Sequence, residues 1–166
     1  MAVENKWVDT DLEAGRKSAA SKVAGGQVRE LAITFEVAAA DSDGSIYKLA
    51  RIPANAVITK AELNCDAIAG STDWDLGFYD DDEATAVDAD ILADGVDINA
   101  GAALGSEVNM LGNGSTYGVD DIGKKVWEIL GKTISNKKEG YILALTANTV
   151  GSADGTVSLR LQYLEG

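Results

Sequence analysis

From Gln27 onward the dominant pattern is an alternation of apolar and polar residues. Leu31, Ile33, Phe35 and Val37 share one side of such a segment, and polar or small residues occupy the other. A period of two is typical of a strand with one buried face. Similar segments predict further strands at 46–52, 56–65, 74–79, 141–147 and 157–163. The chain should therefore contain at least six strands.

Turn residues separate these segments. Asp41-Ser42-Asp43-Gly44 and Asp154-Gly155 are typical of tight turns, and Pro53 should end the second strand because it lacks an N–H donor. Six irregularly spaced strands favour a mostly β fold, an antiparallel β-sandwich of jelly-roll type. We expect the last strand to be central in its sheet.

Three segments depart from the strand pattern. Val119–Leu130 has helical spacing of apolar residues, with Asp120 and Asp121 at the favourable end of the helix dipole, which predicts the single short helix. Segment 80–103 is predicted to be an acidic loop. Segment 101–118 is predicted to be a long surface loop in which Met110 and Leu111 are held down.

Residues 1–27 form a separate region, predicted to be an extended N-terminal arm, and residues 28–166 are predicted to form one β-sandwich domain. The arm is either poorly ordered in the isolated protein or becomes ordered on a partner, with Trp7 as its anchor. Its candidate partner-binding residues are the anchor and four cations: Trp7, Lys6, Arg16, Lys17 and Lys22.

Composition narrows the classes of partner. The chain has 166 residues, no apolar run of the roughly 20 residues that cross a membrane, and no N-terminal apolar segment of the secretory type. Its net charge is −13, and fifteen carboxylates but no Lys or Arg lie between Lys60 and Lys124. Binding to phosphates needs clustered cations. We therefore predict no nucleic acid or membrane partner, and production in a cytoplasm.

Enzyme motifs are missing from the sequence. Without histidine there is no Ser-His-Asp or Cys-His arrangement, and no phosphate-binding or dinucleotide-binding glycine motif occurs. The one cysteine, Cys65, lies in an alternating segment and is predicted to be a small buried hydrophobe. Pairs of carboxylates alone do not identify a glycosidase. We predict a protein that is not an enzyme and has no cofactor.

Calcium is the more reasonable ligand for the acidic residues. Its candidate ligands, Asp80, Asp81, Asp82, Asp88 and Asp90, carry the oxygens that Ca²⁺ prefers. The competing interpretation, a solvated acidic loop, is the one we favour, so no metal is predicted. The Asp41-x-Asp43-Gly44 turn resembles the start of an EF-hand loop, but Ile52 stands where the bidentate glutamate belongs.

One strand offers a candidate contact residue. Trp74, Leu76 and Phe78 should share the core face of strand 74–79, whereas Tyr79 and Asp75 point the other way. Tyr79 is either a partner contact or an ordinary exposed aromatic side chain.

Four segments resemble small structural proteins of tailed-phage capsids. They are AAADSDGSIY (38–47), RIPANAVI (51–58), DAIAGSTDWDLGFY (66–79) and VDAD (87–90), within a region from Ala38 to about Asp97 that makes up about a third of the chain. They are similar to cement or decoration proteins of podovirus-like capsids. That resemblance implies a jelly-roll body, an extended arm and binding across capsomer junctions.

The resemblance therefore predicts a virion protein on the capsid surface. Its partner would be the major capsid protein, and it would form a homo-oligomer, a dimer or trimer. A carbohydrate-binding or receptor-binding jelly-roll module of a head or tail fibre is the alternative, because the same fold serves both roles.

Overall fold

The computed structural model describes residues 5–7, 27–80, 85–133 and 140–165. Within these ranges lie nine strands, one 3-10 turn and one short helix. They are β1 Asn5–Trp7, β2 Val28–Val37, β3 Ser45–Pro53, β4 Val57–Cys65, β5 Asp73–Tyr79, β6 Ala86–Val96, β7 Val108–Asn109, the 3-10 turn Val119–Asp121, α1 Val126–Ile129, β8 Gly140–Thr149 and β9 Gly155–Leu164.

The strands form two sheets. One has the order β1-β3-β8-β5-β6 and the other the order β2-β9-β4-β7. Apart from β1, which runs parallel to β3, all pairings are antiparallel. From β2 to β5, and again from β6 to β9, the chain changes sheet at every connection, which is the connectivity of a jelly roll. The predicted fold class is confirmed, and β9 is central, between β2 and β4, as expected.

The core lies between the two sheets and contains a stack of three aromatic rings. The ring centroids of Phe35 and Tyr47 are 4.9 Å apart, and those of Tyr47 and Trp74 are 5.5 Å apart. Trp74 is fully buried, and its indole N–H donates to the Ser71 hydroxyl at 2.6 Å. The prediction that Trp74 packs in the core is confirmed.

The two sheets differ in how their outer faces are covered. In β2, exposed and less exposed residues alternate along the strand, which is typical of a sheet with one solvated face. In β8 the first eight residues, 140–147, are all buried, so both faces of this strand are covered. The five-stranded sheet is therefore buried on both faces along β8 and β5.

The prediction of a loop over 80–103 is wrong for residues 86–96, which form β6. The pairing of β6 with β5 shifts register at three places. Each bulge inserts one extra residue, so the residues that follow it exchange faces of the sheet. The apolar residues of the core face then no longer alternate regularly along the sequence. The loop predicted over 101–118 is interrupted by the short strand β7, which pairs with β4. Met110 is held down as predicted, since it is fully buried and its N–H donates to the Ala61 carbonyl at 2.8 Å.

The predicted helix over 119–130 is mostly wrong. Only the 3-10 turn and the four residues of α1 are helical, and Val119 and Ile122 are exposed rather than packed in the core. Gly123, at a φ of 86°, adopts the left-handed conformation that interrupts a helix between the two pieces. Val126 alone of the predicted apolar face is fully buried.

Candidate interaction surfaces

The predicted arm is described only at β1. Lys6 pairs with Tyr47 and Trp7 with Lys48, so this segment extends the sheet at the β3 edge. Arg16, Lys17 and Lys22 lie outside the described residues. The role of these cations and of Trp7 in binding a partner stays a prediction.

Tyr79 does lie on the outer face of the five-stranded sheet, but it is not exposed. Its ring is buried in a small cluster with Ile142 and Ala144, and its hydroxyl hydrogen-bonds the Thr146 hydroxyl at 2.6 Å. Burial raises the pKa of Tyr79. The expectation of an exposed ring is therefore corrected, because β8 provides apolar and hydrogen-bonding neighbours on this face too.

The calcium candidates are only partly described. Asp81 and Asp82 lie outside the described residues, and the Asp80 N–H closes a turn on the Thr85 carbonyl at 2.9 Å. Within the described residues, no three acidic or cysteine side chains converge as metal ligands would. The carboxylates of the EF-hand-like turn serve the fold: Asp41 accepts from the Tyr47 hydroxyl at 2.7 Å and Asp43 from the Val150 N–H at 3.0 Å.

Two acidic positions of the five-stranded sheet carry perturbed carboxyl groups. Burial, followed by a hydrogen bond with Asp90 and the charge of Asp90, raises the pKa of Asp88. Burial also raises the pKa of Asp75, against the effect of hydrogen bonds from the Gly95 N–H and the Asn148 amide. Both carboxyl groups lie where β5 and β6 pair irregularly. Negative charge is therefore concentrated on the β6 side of the five-stranded sheet.

A different surface, which the sequence did not identify, is the turn of residues 118–124. Val119 is 83% exposed and Ile122 72% exposed. Asp121 holds this turn together, accepting from the Gly118 N–H at 2.8 Å and from the Lys124 ammonium at 2.9 Å. These contacts lower the pKa of Asp121. The turn thus presents two apolar side chains to solvent in a fixed arrangement.

The signal for this turn was present in the sequence. Gly118 and Gly123 bracket the two apolar residues, and Asp121 is a residue that bonds nearby backbone groups in preference to continuing a helix. The apolar spacing that predicted a helix was real, but Val119 and Ile122 point into solvent, and only the later residues Val126, Ile129 and Leu130 pack against the core.

An open cleft lies beside the outer face of the four-stranded sheet. It is lined by residues 64–66, 102–104, Thr156 and Ser158, and Leu104 beside it is 82% exposed. Cys65 is half-buried there, and burial raises the pKa of its thiol, the opposite of what a nucleophile needs. The prediction of a cysteine that packs as a hydrophobe fits its contact with the core.

No helix in the described parts of the chain is long and apolar enough to cross a membrane.

Comparison with known proteins gives one consistent result. No family model matches the chain, and no curated protein matches it. A chain in the structure titled "Capsid of Ralstonia phage GP4" has a similar fold, with a TM-score of 0.66 and 18% identity, covering 97% of this chain and 99% of that one. A chain in the structure titled "Cyanophage Pam1 capsid asymmetric unit" gives a TM-score of 0.55 and 16% identity, covering 91% and 94%. The fold is shared over nearly the whole length of both.

Proposed function

We propose that this chain is a non-enzymatic virion protein that binds and stabilises the capsid shell of a tailed phage as a cement or decoration protein. The observation that carries the proposal is the end-to-end match with a chain of the Ralstonia phage GP4 capsid structure. Because 97% of this chain aligns with 99% of that one, the two are about the same size. The similarity therefore extends along nearly the whole of both compared chains.

The described residues support a binding role rather than catalysis. Burial raises the pKa of the cysteine thiol, away from reactivity, and the buried carboxylates Asp41 and Asp75 accept hydrogen bonds from within the fold, from the Tyr47 hydroxyl and the Gly95 N–H. A surface that is already ordered before binding lowers the entropic cost of docking. Repetition of weak contacts over a lattice then supplies the remaining affinity.

In this proposal the partner is the major capsid protein, the site is the outer surface of the shell, and assembly takes place in the host cytoplasm. The chain acts as a homo-oligomer, a dimer or trimer, which matches the symmetry of a shell built from repeated subunits.

The test is co-sedimentation of the purified chain with shells of its phage that lack it. We expect saturable binding at a fixed ratio to the major capsid protein, together with a raised melting temperature of the shell. Absence of binding would contradict the proposal. Binding of a glycan by the isolated chain, with no effect on shells, would support the fibre or receptor-binding alternative instead.

A further inference from the structure

The four edges of the two sheets are not protected equally. Exposed edges invite pairing with other chains, and proteins usually shorten, bend or charge them. β1 has three residues and β7 has two. β6 is interrupted by three register shifts and carries Asp88, Asp90 and Asp94. Three of the four edge strands are therefore short or irregular, which hinders their pairing with another chain.

β2 is the exception. It has ten residues, pairs with β9 in one uninterrupted register from Val28 to Val37, and contains no Pro, Gly or Lys. Its three charged residues, Arg29, Glu30 and Glu36, bond to Glu165, Gln162 and Thr156, in β9 or directly after it, and so do not guard the open side of the strand. Among the described residues it pairs with no strand other than β9. It is therefore the one long, regular and unbent edge of the described molecule.

The inner side of β2 is also incompletely covered. Leu31 and Ile33 face the core together with Phe35 and Val37, but they are only half-buried, whereas Phe35 and Val37 are buried. A neighbouring strand beyond β2 would cover the two partly exposed side chains. An additional strand is the usual way to extend a sheet edge of this kind.

We propose that β2 pairs with β2 of a second copy of this chain, antiparallel, about a twofold axis at Ala32. The two four-stranded sheets then become one continuous sheet across the dimer. A twofold axis perpendicular to the sheet brings identical edges together, so each contact occurs twice.

The charged residues of β2 and the face on which each side chain lies favour this register over the other antiparallel registers. With the axis at Ala32, Leu31 lies opposite the partner's Ile33 on the inner face, and Glu30 lies opposite the partner's Thr34 on the outer face. With the axis at Ile33, Glu30 would oppose the partner's Glu36, and directly opposed like charges are destabilising. An axis between two residues would put inner-facing residues opposite outer-facing ones. The axis at Ala32 is the longest pairing that avoids both faults.

The outer face suits this arrangement. Glu30 accepts from the Gln162 amide at 2.8 Å and Glu36 from the Thr156 hydroxyl at 2.7 Å, so both carboxylates are turned toward β9. The centre of the proposed contact, around Ala32, is small and uncharged. Arg29, which comes opposite the partner's Phe35, is already ion-paired with Glu165 at 3.2 Å, so no like charges are brought opposite each other.

The test uses the purified full chain and needs no shells, so it succeeds or fails independently of the proposed function. Sedimentation analysis of the wild type should show a dimer. In a Cys65→Ser background, Ala32→Cys should form a disulfide-linked dimer on mild oxidation, because the two copies of residue 32 lie opposite each other at the axis.

A pair of lysine variants completes the test. Ala32→Lys places like charges at the axis and should raise the dimer Kd about fivefold or more, from a penalty of about 1 kcal/mol. Ala103→Lys, on an exposed loop residue at the other edge of the same sheet, should leave the Kd unchanged. Melting temperatures of both variants show that they fold.

Three results in these experiments would overturn the inference, and a fourth, the trimer named last, would do the same. They are a wild type that stays monomeric, a dimer that Ala32→Lys and Ala103→Lys affect equally, and an Ala32→Cys chain that oxidises without forming the linked dimer. A trimer in solution would also exclude a twofold pairing.

Discussion

Gly77 lets two strands approach more closely than side chains permit. It lies in β5 opposite the irregular part of β6, and a Cβ at this position would overlap the carbonyl oxygen of Asp88 and the main chain of Ala89. The close approach is possible only without a side chain. Gly77 therefore fixes how the bulged edge strand sits on the sheet.

We expect Gly77→Ala to destabilise the protein by about 3 kcal/mol, because β6 must move away from β5 and overpacking costs about 1–3 kcal/mol or more. Gly118→Ala is the matched control. Its φ of −115° suits any residue, and the nearest atom to its Cβ would be 3.9 Å away. Denaturant unfolding of both variants measures the difference, and equal stabilities would contradict the close approach.

The carboxyl pair Asp88 and Asp90 gives a prediction about pH. Because burial and Asp90 raise the folded-state pKa of Asp88 above the ordinary value of 3.8, the folded state binds this proton more tightly than the unfolded state. The resulting stability is complete below pH 3.8 and is lost as the pH rises through the folded pKa of Asp88.

Asp88→Asn removes this titration. We therefore expect Asp88→Asn to be more stable relative to wild type, with a larger free energy of unfolding, at about pH 7 than at about pH 3.5. Denaturant unfolding at the two pH values provides the measurement. If the difference in unfolding free energy between variant and wild type is the same at both pH values, the pKa of Asp88 is not raised in the folded protein.

At the scale of elements, strands were predictable where pairing is regular. β2 and β9 pair without a shift over ten residues, so alternation in the sequence matches alternation in the structure. β6 was missed because its bulges break the period of two, and no local signal marks which residues are skipped. Single shifts did not hide β3 and β4, so it is the accumulation of three shifts within β6 that removes the pattern.

The candidate surfaces were less predictable than the strands. The position of Tyr79 on the outer face followed from the period of two, but its burial depends on Ile142 and Ala144, more than sixty residues away in the chain. The 118–124 turn was read as a helix because apolar spacing does not show whether a side chain faces the core or solvent. A single sequence does not show which residues, distant in the chain, will cover a given side chain.

The 118–124 turn gives a prediction about docking. Replacing Val119 and Ile122 together by Ser should change the unfolding free energy by less than about 0.5 kcal/mol, because both side chains are exposed. If the turn contacts the shell, the same change should weaken shell binding, since its fixed apolar side chains would leave water on docking.

Leu104→Ser is the control for this experiment, because Leu104 is 82% exposed but lies at the cleft and not on the turn. Co-sedimentation with shells compares the two variants. If both bind as the wild type does, the turn is not a docking element. If both are equally weakened, the effect is a general loss of surface hydrophobicity.

At the scale of the whole molecule, charge is divided between regions of the sequence. The stretch between Lys60 and Lys124 is entirely without cations, whereas the first 27 residues contain Lys6, Arg16, Lys17 and Lys22. Such an asymmetry can orient a protein as it approaches a charged lattice, and it is weakened by salt.

Neutralising Lys6, Arg16, Lys17 and Lys22 to Gln should therefore weaken shell binding at low salt and have a smaller effect at high salt. Neutralising the same number of cations in the sandwich (Arg51, Lys60, Lys125 and Lys132), all outside the 118–124 turn, provides the control. Binding curves at several salt concentrations make the comparison. Unchanged binding of the arm variant at every salt concentration would exclude the arm as an electrostatic docking element.

The central position of β9 also has a consequence for biosynthesis. β9 is the last strand of the sandwich to leave the ribosome, yet β2 and β4 both depend on it as their neighbour in the sheet. Among the described strands, β2 has no neighbour and β4 has only the two residues of β7 until residues 155–164 emerge from the ribosome. Because contacts between distant segments form slowly, the four-stranded sheet should be the late-forming part of the sandwich during synthesis.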